Sequence, residues 1–334
     1  MLPFAYHRAA DARDALAHAA DHQGAAFIAG GTDLLQLWKG GISAPGLVID
    51  ISRLQLDAIE ARGGGIAIGA LARMSDVADH PLVRSDYPAI SQALLSSASP
   101  QVRNAATIGG NLLQRTRCVY FRSGTLPCNK REAGSGCGAR QGENRLHAVF
   151  GASDHCAATH ASDLAVALMA LDAVVRLRGN GGERTLPVED FFLLPGDQPH
   201  RETALAAGEL IVGIEVAATA WARRSHYLKV RDRASFEFAV VSATVALHFE
   251  DGTVRAARVA AGGVGTKPWR LRACEAALVG APADTASFRA AAEHAADGAR
   301  PLSRNGFKVE LLKRVVLRAL EEVGGSLHGE PVEP

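Results

Sequence analysis

The chain has 334 residues, 48% of them hydrophobic, and its 36 basic residues almost balance its 35 acidic ones. This length allows two or three domains with cores of their own. The charge balance gives no electrostatic reason to expect nucleic acid or an anionic membrane as partner. The N-terminus shows no basic segment followed by an apolar core, and Asp172 interrupts the most apolar helical stretch. We therefore expect neither a signal peptide nor a membrane span.

The first 56 residues predict a small β-α-β unit. A helix over residues 11–22 precedes two apolar strands, 25–29 and 47–51, which are joined by a glycine turn and a second helix. Strands joined by a helical crossover pair in parallel. We therefore expect a parallel pair of strands in this part of the chain.

The first glycine turn (residues 29–34) is a candidate phosphate site. Gly30 and Gly31 lack a Cβ, so backbone N–H groups could approach a phosphate closely. Thr32 could cap the following helix or bond a phosphate oxygen. The turn matches neither a Walker A loop nor G-x-G-x-x-G, so the usual nucleotide folds are not indicated. On its residues alone, ordinary turn chemistry and phosphate binding both stay open.

A second glycine turn (residues 107–111) follows a predicted hairpin over residues 57–71 and two predicted helices, 75–80 and 86–97. Ser75 is the expected N-cap of the first of these helices. The turn again offers close backbone approach, and it adds a side-chain amide. Two such turns could line opposite sides of one dinucleotide.

The cysteine loop (residues 115–157) is glycine-rich and polar, and no helical or strand period persists in it. So long a loop is uncommon in a compact domain unless function or disorder explains it. It holds Cys118, Cys128, Cys137 and Cys156. These cysteines suggest a clamp made by disulfides or by a metal centre. The fifth cysteine, Cys274, lies in a helical pattern and is interpreted as a small buried hydrophobe.

Three kinds of clamp compete on the residues alone. Disulfides are rarely needed in a chain with this much core and no visible export signal. Structural zinc sites commonly use closely spaced pairs such as C-x2-C, which are missing here. An iron–sulfur cluster accepts widely spaced thiolates when a loop wraps it, so we rank it first and keep the other two open. Several basic residues would offset the negative charge of a cluster: Arg115, Arg117, Arg122, Lys130, Arg131, Arg140 and Arg145.

The segment after the cysteine loop predicts a helix that begins at Ser162 or Asp163. Either residue can be the N-cap, and a ligand role for Asp163 is the alternative. A hairpin over 174–186, a short helix over 188–192 and a strand over 209–216 follow.

The pattern changes after residue 220 to three long strands followed by three helices, an α+β arrangement. In the first of these strands Tyr227, Lys229 and Arg231 alternate with apolar residues, so they share one face. Asp251 and Gly252 predict the hairpin turn between the other two strands.

Four motifs together resemble one family. They are A-G-G-T-D-L-L at 29–35, R-N-A-A-T-I-G-G-N-L at 103–112, S-D-L-A at 162–165 and Y-L-K-V-R at 227–231. In order and spacing they resemble the flavin-binding subunit of the molybdenum hydroxylases, the group of xanthine dehydrogenase, carbon monoxide dehydrogenase and aldehyde oxidoreductase. The resemblance implies an α+β fold: a PCMH-type FAD-binding domain over 1–220, with α+β subdomains of about 1–56 and 57–220, a C-terminal domain of three strands and three helices over 221–326, and a tail over 327–334.

The resemblance also implies the residues that hold FAD. The diphosphate would lie against the two glycine turns, formed by Ala29, Gly30, Gly31, Thr32, Asp33 and Leu34 and by Thr107, Ile108, Gly109, Gly110 and Asn111. Asp163 and Lys229 would hydrogen-bond the ribityl and ring region, and Ile211 would be an apolar wall at the isoalloxazine. The family often has Asn or Glu in place of Asp33. An acid beside a diphosphate is unfavourable unless it caps the helix instead.

The cysteine loop looks most like the flavin subunit of the bacterial aldehyde oxidoreductase branch, the periplasmic heterotrimeric type, which carries an additional [4Fe-4S] cluster. By resemblance Cys118, Cys128, Cys137 and Cys156 would be its ligands. The flavin subunit of 4-hydroxybenzoyl-CoA reductase, which also carries a cluster loop, is the nearest rival.

The resemblance implies an oxidoreductase subunit without catalytic residues for the aldehyde. A molybdopterin-binding large subunit would oxidise the aldehyde to a carboxylic acid, and the [2Fe-2S] clusters of a small subunit would pass electrons to FAD here and on to an external acceptor. The assembly would be a heterotrimer or a dimer of it, exported to the periplasm with a partner that carries the signal, or else cytoplasmic. The alternatives are a nucleotide-binding module with a structural zinc loop and a stand-alone flavin oxidase.

Overall fold

The computed structural model describes residues 2–325, which form three β-sheets with helices packed around them. The α+β fold class predicted from the sequence is confirmed. No helix in the described range is both long enough and apolar enough to cross a bilayer. The predicted tail, residues 327–334, lies outside the described residues.

The first sheet is parallel, with the strand order β1-β3-β2. Its unit consists of β1 (Ala5–Arg8), α1 (Ala12–Asp21), β2 (Ala26–Ile28), α2 (Leu34–Lys39) and β3 (Leu47–Asp50). The expected parallel pair is β2 and β3. The sequence did not predict β1, which pairs with β3 on the other edge, because its side chains are mostly exposed and carry no apolar pattern.

The second sheet is antiparallel, with the strand order β4-β5-β8-β6-β7. Its strands are β4 (Ile59–Arg62), β5 (Gly65–Gly69), β6 (Val174–Gly179), β7 (Gly182–Pro187) and β8 (Leu210–Ala217). Five helices lie between β5 and the cysteine loop: α3 (Met74–Asp79), α4 (Pro81–Asp86), α5 (Pro88–Leu95), α6 (Pro100–Arg103) and α7 (Ile108–Leu112).

Two sequence predictions about these helices are wrong. Ser75 is not the N-cap of α3, since the backbone of Arg73 bridges to Thr107 and the helix begins directly after it. The helix predicted over 86–97 begins only at Pro88, because Tyr87 is not helical and proline has no N–H to continue a preceding helix.

The cysteine loop contains little regular structure besides α8 (Val119–Arg122) and one 3₁₀ turn, Gly138–Arg140. Side chains, rather than regular secondary structure, supply hydrogen-bond partners for the backbone of this loop. The guanidinium of Arg131 donates to four backbone carbonyls within the loop. The side-chain carbonyl of Asn129 accepts the N–H groups of Gly134 and Gly136 at 3.1 and 2.8 Å.

Helix α9 (Asp163–Ala170) lies at the centre of the molecule, followed by β6, β7 and the short α10 (Val188–Phe191). All its residues are buried, as expected for a helix that is apolar on every side. Ser162 is its N-cap and accepts the N–H of Ala165 at 3.0 Å. The capping role therefore belongs to Ser162, and the Asp163 carboxylate is free to make other contacts.

The third sheet has the strand order β12-β11-β10-β9 and is covered by the last three long helices. Its unit consists of β9 (Ser225–Val230), β10 (Val241–Glu250), β11 (Thr253–Gly262), β12 (Trp269–Arg270), α11 (Arg272–Leu278), α12 (Thr285–Glu293) and α13 (Phe307–Gly325). The two-residue β12 adds to the three expected strands. Asp251 and Gly252 form the hairpin turn with φ values of 49° and 71°.

Candidate functional site

A cavity of about 720 Å³ lies between the two glycine turns, the start of α9 and strand β9. This volume is within the usual range of ligand pockets. Most of the residues expected to hold FAD line it: Ala29, Gly30, Gly31, Thr32, Asp33, Leu34, Thr107, Gly110, Asn111, Asp163 and Lys229. The fold therefore brings together, around one space, segments that are far apart in the sequence.

The first glycine turn offers free backbone donors to this cavity. The N–H groups of residues 30–34 have no hydrogen-bond acceptor within the described part of the chain. Gly31 has a φ of 67°, which favours glycine. A Cβ on Gly30 would lie only 1.9 Å from the carbonyl oxygen of Ala105, so the turn also needs glycine for its contact with the segment that leads into the second glycine turn.

Asp33 occupies the N-cap position of α2, but its side chain makes no capping hydrogen bond, which corrects the role considered from the sequence. Its carboxylate instead accepts the N–H of Arg115 at 2.8 Å and the guanidinium groups of Arg117 and Arg122, the latter at 2.8 Å. Three donors from one short segment surround the acid. The negative charge that would oppose a diphosphate is therefore neutralised by cations from the cysteine loop.

The second glycine turn presents side chains rather than free backbone donors. Thr107 caps α7 and accepts the N–H of Gly110 at 3.3 Å. The N–H groups of Ile108 and Gly109 already donate to the backbone carbonyls of Ala72 and Ala70, just after β5, at 3.0 and 2.8 Å. Ile108 and Gly109 are buried and do not line the cavity, so the structure does not bring these two predicted contacts to it.

Ile211 also lies away from the cavity, contrary to the role expected for it. It belongs to β8 and is buried in the core. Asn111 lines the cavity, but the amide oxygen accepts the hydroxyl of Ser162 at 2.5 Å, which ties the second glycine turn to the cap of α9. Asn111 therefore shapes the cavity wall while its amide oxygen is engaged within the protein.

Asp163 and Lys229 form a buried ion pair at the cavity. The two groups are 2.8 Å apart, and their side chains are only 6% and 3% exposed. The carboxylate also accepts the hydroxyl groups of Ser97, at 2.8 Å, and Tyr227. Burial and the negative charge of Asp163 raise the pKa of Tyr227 well above its ordinary value, so Tyr227 remains a donor. Paired and hydrogen-bonded, both charges keep a fixed orientation.

Part of the cavity wall was missed by the sequence analysis. Ala98 lines it and has a φ of 52°. A positive φ is usually signalled by glycine in the sequence, and this position has alanine instead. Arg115 and Arg117 line it too, and the Arg117 guanidinium lies 4.9 Å from the ring centroid of Phe238. The arginines were visible as basic residues of the cysteine loop, but their sequence position did not reveal that they face the cavity.

The cysteine loop brings its four cysteines into one region. Cys128 and Cys137 pair across an isolated antiparallel bridge, and Cys118 packs in one small apolar cluster with Cys128. Cys137 and Cys128 add to the effect of burial in raising the pKa of the Cys156 thiol. All four thiols are free, so the disulfide alternative has no support among the described residues. No three of these sulfurs lie within 4.8 Å of one another.

The surroundings of the sulfurs fit a metal centre. Backbone N–H groups of Tyr120 and Phe121 point at Cys118, and the N–H of Ala158 lies 3.5 Å from the sulfur of Cys156. Burial raises the pKa of the Cys118 thiol to about 12, and burial also raises the pKa of Cys156. Without a metal these thiols stay protonated, while bound metal would hold them as thiolates.

The basic residues of the cysteine loop have partners of their own. Arg115 and Lys130 pair with Glu202, and Arg145 forms two bonds with Asp232, at 2.8 and 3.0 Å. The expectation that these residues mainly offset a cluster's charge is therefore incomplete. They also fasten the cysteine loop to the rest of the protein.

Comparison with known families covers almost the whole chain. Residues 2–218 match the family described as the FAD binding domain in molybdopterin dehydrogenase. Residues 226–323 match the CO dehydrogenase flavoprotein C-terminal domain.

Known proteins and structures agree with this assignment. The chain is 46% identical to the aldehyde oxidoreductase FAD-binding subunit PaoB of Escherichia coli K12, over 96% of this chain and 98% of that protein. It is 26% identical to the glyceraldehyde dehydrogenase medium chain of Sulfolobus acidocaldarius, over 96% and 98% of the two chains. A carbon monoxide dehydrogenase structure from Hydrogenophaga pseudoflava superimposes with a TM-score of 0.76 at 27% identity, over 97% of this chain and 99% of that chain. The chain belongs to the FAD-binding oxidoreductase subunits of the molybdenum hydroxylase family.

Proposed function

We propose that the chain is the FAD-binding electron-transfer subunit of a molybdenum-dependent aldehyde oxidoreductase. The observation that carries this proposal is the 46% identity, over 96% of the chain, to the aldehyde oxidoreductase subunit of Escherichia coli. A molybdopterin-binding large subunit would oxidise the aldehyde to a carboxylic acid. A small subunit with [2Fe-2S] clusters would deliver the electrons, in a heterotrimer or a dimer of it.

The residues of the cavity fit FAD. Bound FAD supplies the electron-transfer chemistry, and the protein supplies orientation and charge. The free N–H groups of residues 30–34 would hold the diphosphate, with the cations of Arg115 and Arg117 at the same cavity. Asp163 and Lys229 would contact the ribityl chain and ring, where the Lys229 cation would stabilise negative charge on reduced flavin.

We also propose a [4Fe-4S] cluster held by Cys118, Cys128, Cys137 and Cys156. Their free thiols and the N–H groups directed at two sulfurs support it. The cysteine loop contributes Arg115, Arg117 and Lys130 to the FAD cavity, so the proposed cluster and FAD share one structural segment.

Electrons would leave FAD for an external acceptor. We propose export to the periplasm together with a partner that carries the signal, with the cytoplasm as the alternative. A flavin subunit of a reductase such as 4-hydroxybenzoyl-CoA reductase is the second candidate, because a cysteine loop fits that branch as well. The two differ in the substrate that the assembled complex turns over.

The test is flavin, iron and zinc analysis of the complex purified with its partners, together with its absorption spectrum. We expect noncovalent FAD, no zinc, and more iron than the [2Fe-2S] clusters account for. Cys118→Ser and Cys156→Ser should each lower iron by the content of one [4Fe-4S] cluster. Cys274→Ser is the matched control, since Cys274 is buried in α11 outside the cysteine loop, and it should leave iron unchanged. Unchanged iron in Cys118→Ser would refute the ligand assignment.

A further inference from the structure

The first glycine turn and the cysteine loop are in direct contact, although more than eighty positions separate Asp33 from Arg117 and Arg122. One segment contributes free N–H groups to the FAD cavity, and the other carries the four cysteines. Two different sets of contacts join them, one ionic and one apolar.

The ionic contact is centred on Asp33, whose side chain is only 14% exposed. It binds the backbone N–H of Arg115 and the guanidinium groups of Arg117 and Arg122. Arg122 in turn donates to the backbone carbonyls of Thr116 and Arg115, at 2.9 and 3.0 Å. One carboxylate therefore holds the backbone before Cys118, at residues 115 and 116, and the side chain of Arg122 after it.

The apolar contact lies on α2, which begins directly after the first glycine turn. Leu37 of α2 is buried against Phe121 and Cys128, and Cys118 packs at the edge of the same small cluster. Two of the four cysteines thus rest on the helix that follows the turn. A shift of the turn or of α2 must displace these cysteines as well, since close-packed groups transmit small movements.

We propose that Asp33 is a positioning residue that couples the two sites, so that FAD on the first glycine turn stabilises the metal centre at Cys118, and the metal centre stabilises FAD. The inference rests on the proposed function for the identity of the bound groups. A ligand that orders the turn holds Asp33 and, through its arginine partners, the backbone around Cys118. By linkage the effect is reciprocal for the two binding free energies.

The charge of Asp33 gives the coupling its sign. A bare acid in the first glycine turn would weaken diphosphate binding, whereas an acid held by Arg117 and Arg122 does not. An ordered cysteine loop supplies those two cations. The loop must therefore be in place for the turn to bind FAD well, and its order depends in turn on whatever the cysteines hold.

The experiment measures iron release to a chelator from the purified complex, with FAD bound and after FAD has been removed in a chaotropic salt. The variants are Asp33→Asn and, as the matched control, Asp232→Asn. Asp232 pairs with Arg145 and so also fastens the cysteine loop, but it does not line the FAD cavity. Arg117→Gln, which removes one partner of Asp33, is the second variant in case Asp33→Asn is recovered unfolded.

In the wild type we expect bound FAD to slow iron release by about fivefold or more, the lower end of typical coupling between sites. Asp33→Asn should bring this ratio close to one, and Asp232→Asn should keep the wild-type ratio. A wild type without an FAD effect, or Asp33→Asn with an unchanged ratio, would overturn the coupling. Iron missing from the wild type would instead contradict the proposed cluster.

In that last case the coupling is still tested by alkylation of Cys118, followed by mass spectrometry. FAD should protect Cys118 in the wild type and in Asp232→Asn, and it should not protect it in Asp33→Asn. Equal alkylation with and without FAD in the wild type would overturn the inference by itself.

Discussion

The buried pair of Asp163 and Lys229 gives the sharpest test of the site's energetics. Lys229→Met leaves a carboxylate with two hydroxyl donors but no counter-charge, and Asp163→Asn leaves an ammonium whose other partner is the carbonyl of Ser96 at 3.1 Å. Because both side chains are almost fully buried, water does not compensate. We expect each single variant to lower the free energy of unfolding by about 3–5 kcal/mol.

The double variant removes both charges together, so it should cost less than the sum of the two single variants. The coupling energy from the double-mutant cycle should reach about 1–3 kcal/mol. The assay is urea unfolding of the flavin-free chain, followed by circular dichroism. The control cycle uses Arg145 and Asp232, an ion pair of equal length whose side chains are 46% and 50% exposed, with an expected coupling of about 0–1 kcal/mol. Additive effects of Asp163→Asn and Lys229→Met, within about 0.5 kcal/mol, would refute the reasoning.

Three further predictions concern other parts of the fold. Gly30→Ala places a Cβ 1.9 Å from the carbonyl oxygen of Ala105, so flavin content should fall by at least about fivefold, equivalent to about 1 kcal/mol. The control Gly46→Ala, with open space around its Cβ, should keep the wild-type flavin content. Burial lowers the pKa of Lys308 to about 7 from 10.5, so between these pH values the unfolded chain binds a proton that the folded chain lacks, and wild-type stability should rise with pH. Lys308→Met should lack this rise. Equal slopes of unfolding free energy against pH in the two proteins would contradict the prediction. Burial alone would raise the pKa of Asp50, but hydrogen bonds from three neighbours hold it below its usual 3.8. Wild-type stability should therefore be lost as pH falls below about 4, and Asp50→Asn should lose less stability over the same range.

Local sequence patterns correctly predicted those structural features that depend on neighbouring residues. The β2–α2–β3 unit follows from a strand, a glycine turn and a helix, and the hairpin at Asp251 and Gly252 follows from its turn residues. The alternation of Tyr227 and Lys229 placed both side chains on the face that meets Asp163. In these cases neighbouring residues determine the geometry.

The features that were missed depend on contacts between distant segments. The sequence around Asp33 gave no indication that arginines from the cysteine loop would surround its carboxylate. The N-cap of α3 lies at Arg73 rather than Ser75 because a bridge to Thr107 determines where the helix begins. Ile211 is apolar and could have faced either a ligand or the core, and only the packing of β8 distinguishes these positions.

The cavity draws its lining from residues as early as Phe27 and as late as Phe238. A growing chain that has emerged from the ribosome only as far as the end of the first domain lacks Lys229 and the wall around Phe238. At about 5–20 residues per second the missing part takes several seconds more to appear. The complete cavity therefore forms only after the first strand of the C-terminal sheet has been made, and a fragment ending near residue 218 should emerge from purification colourless.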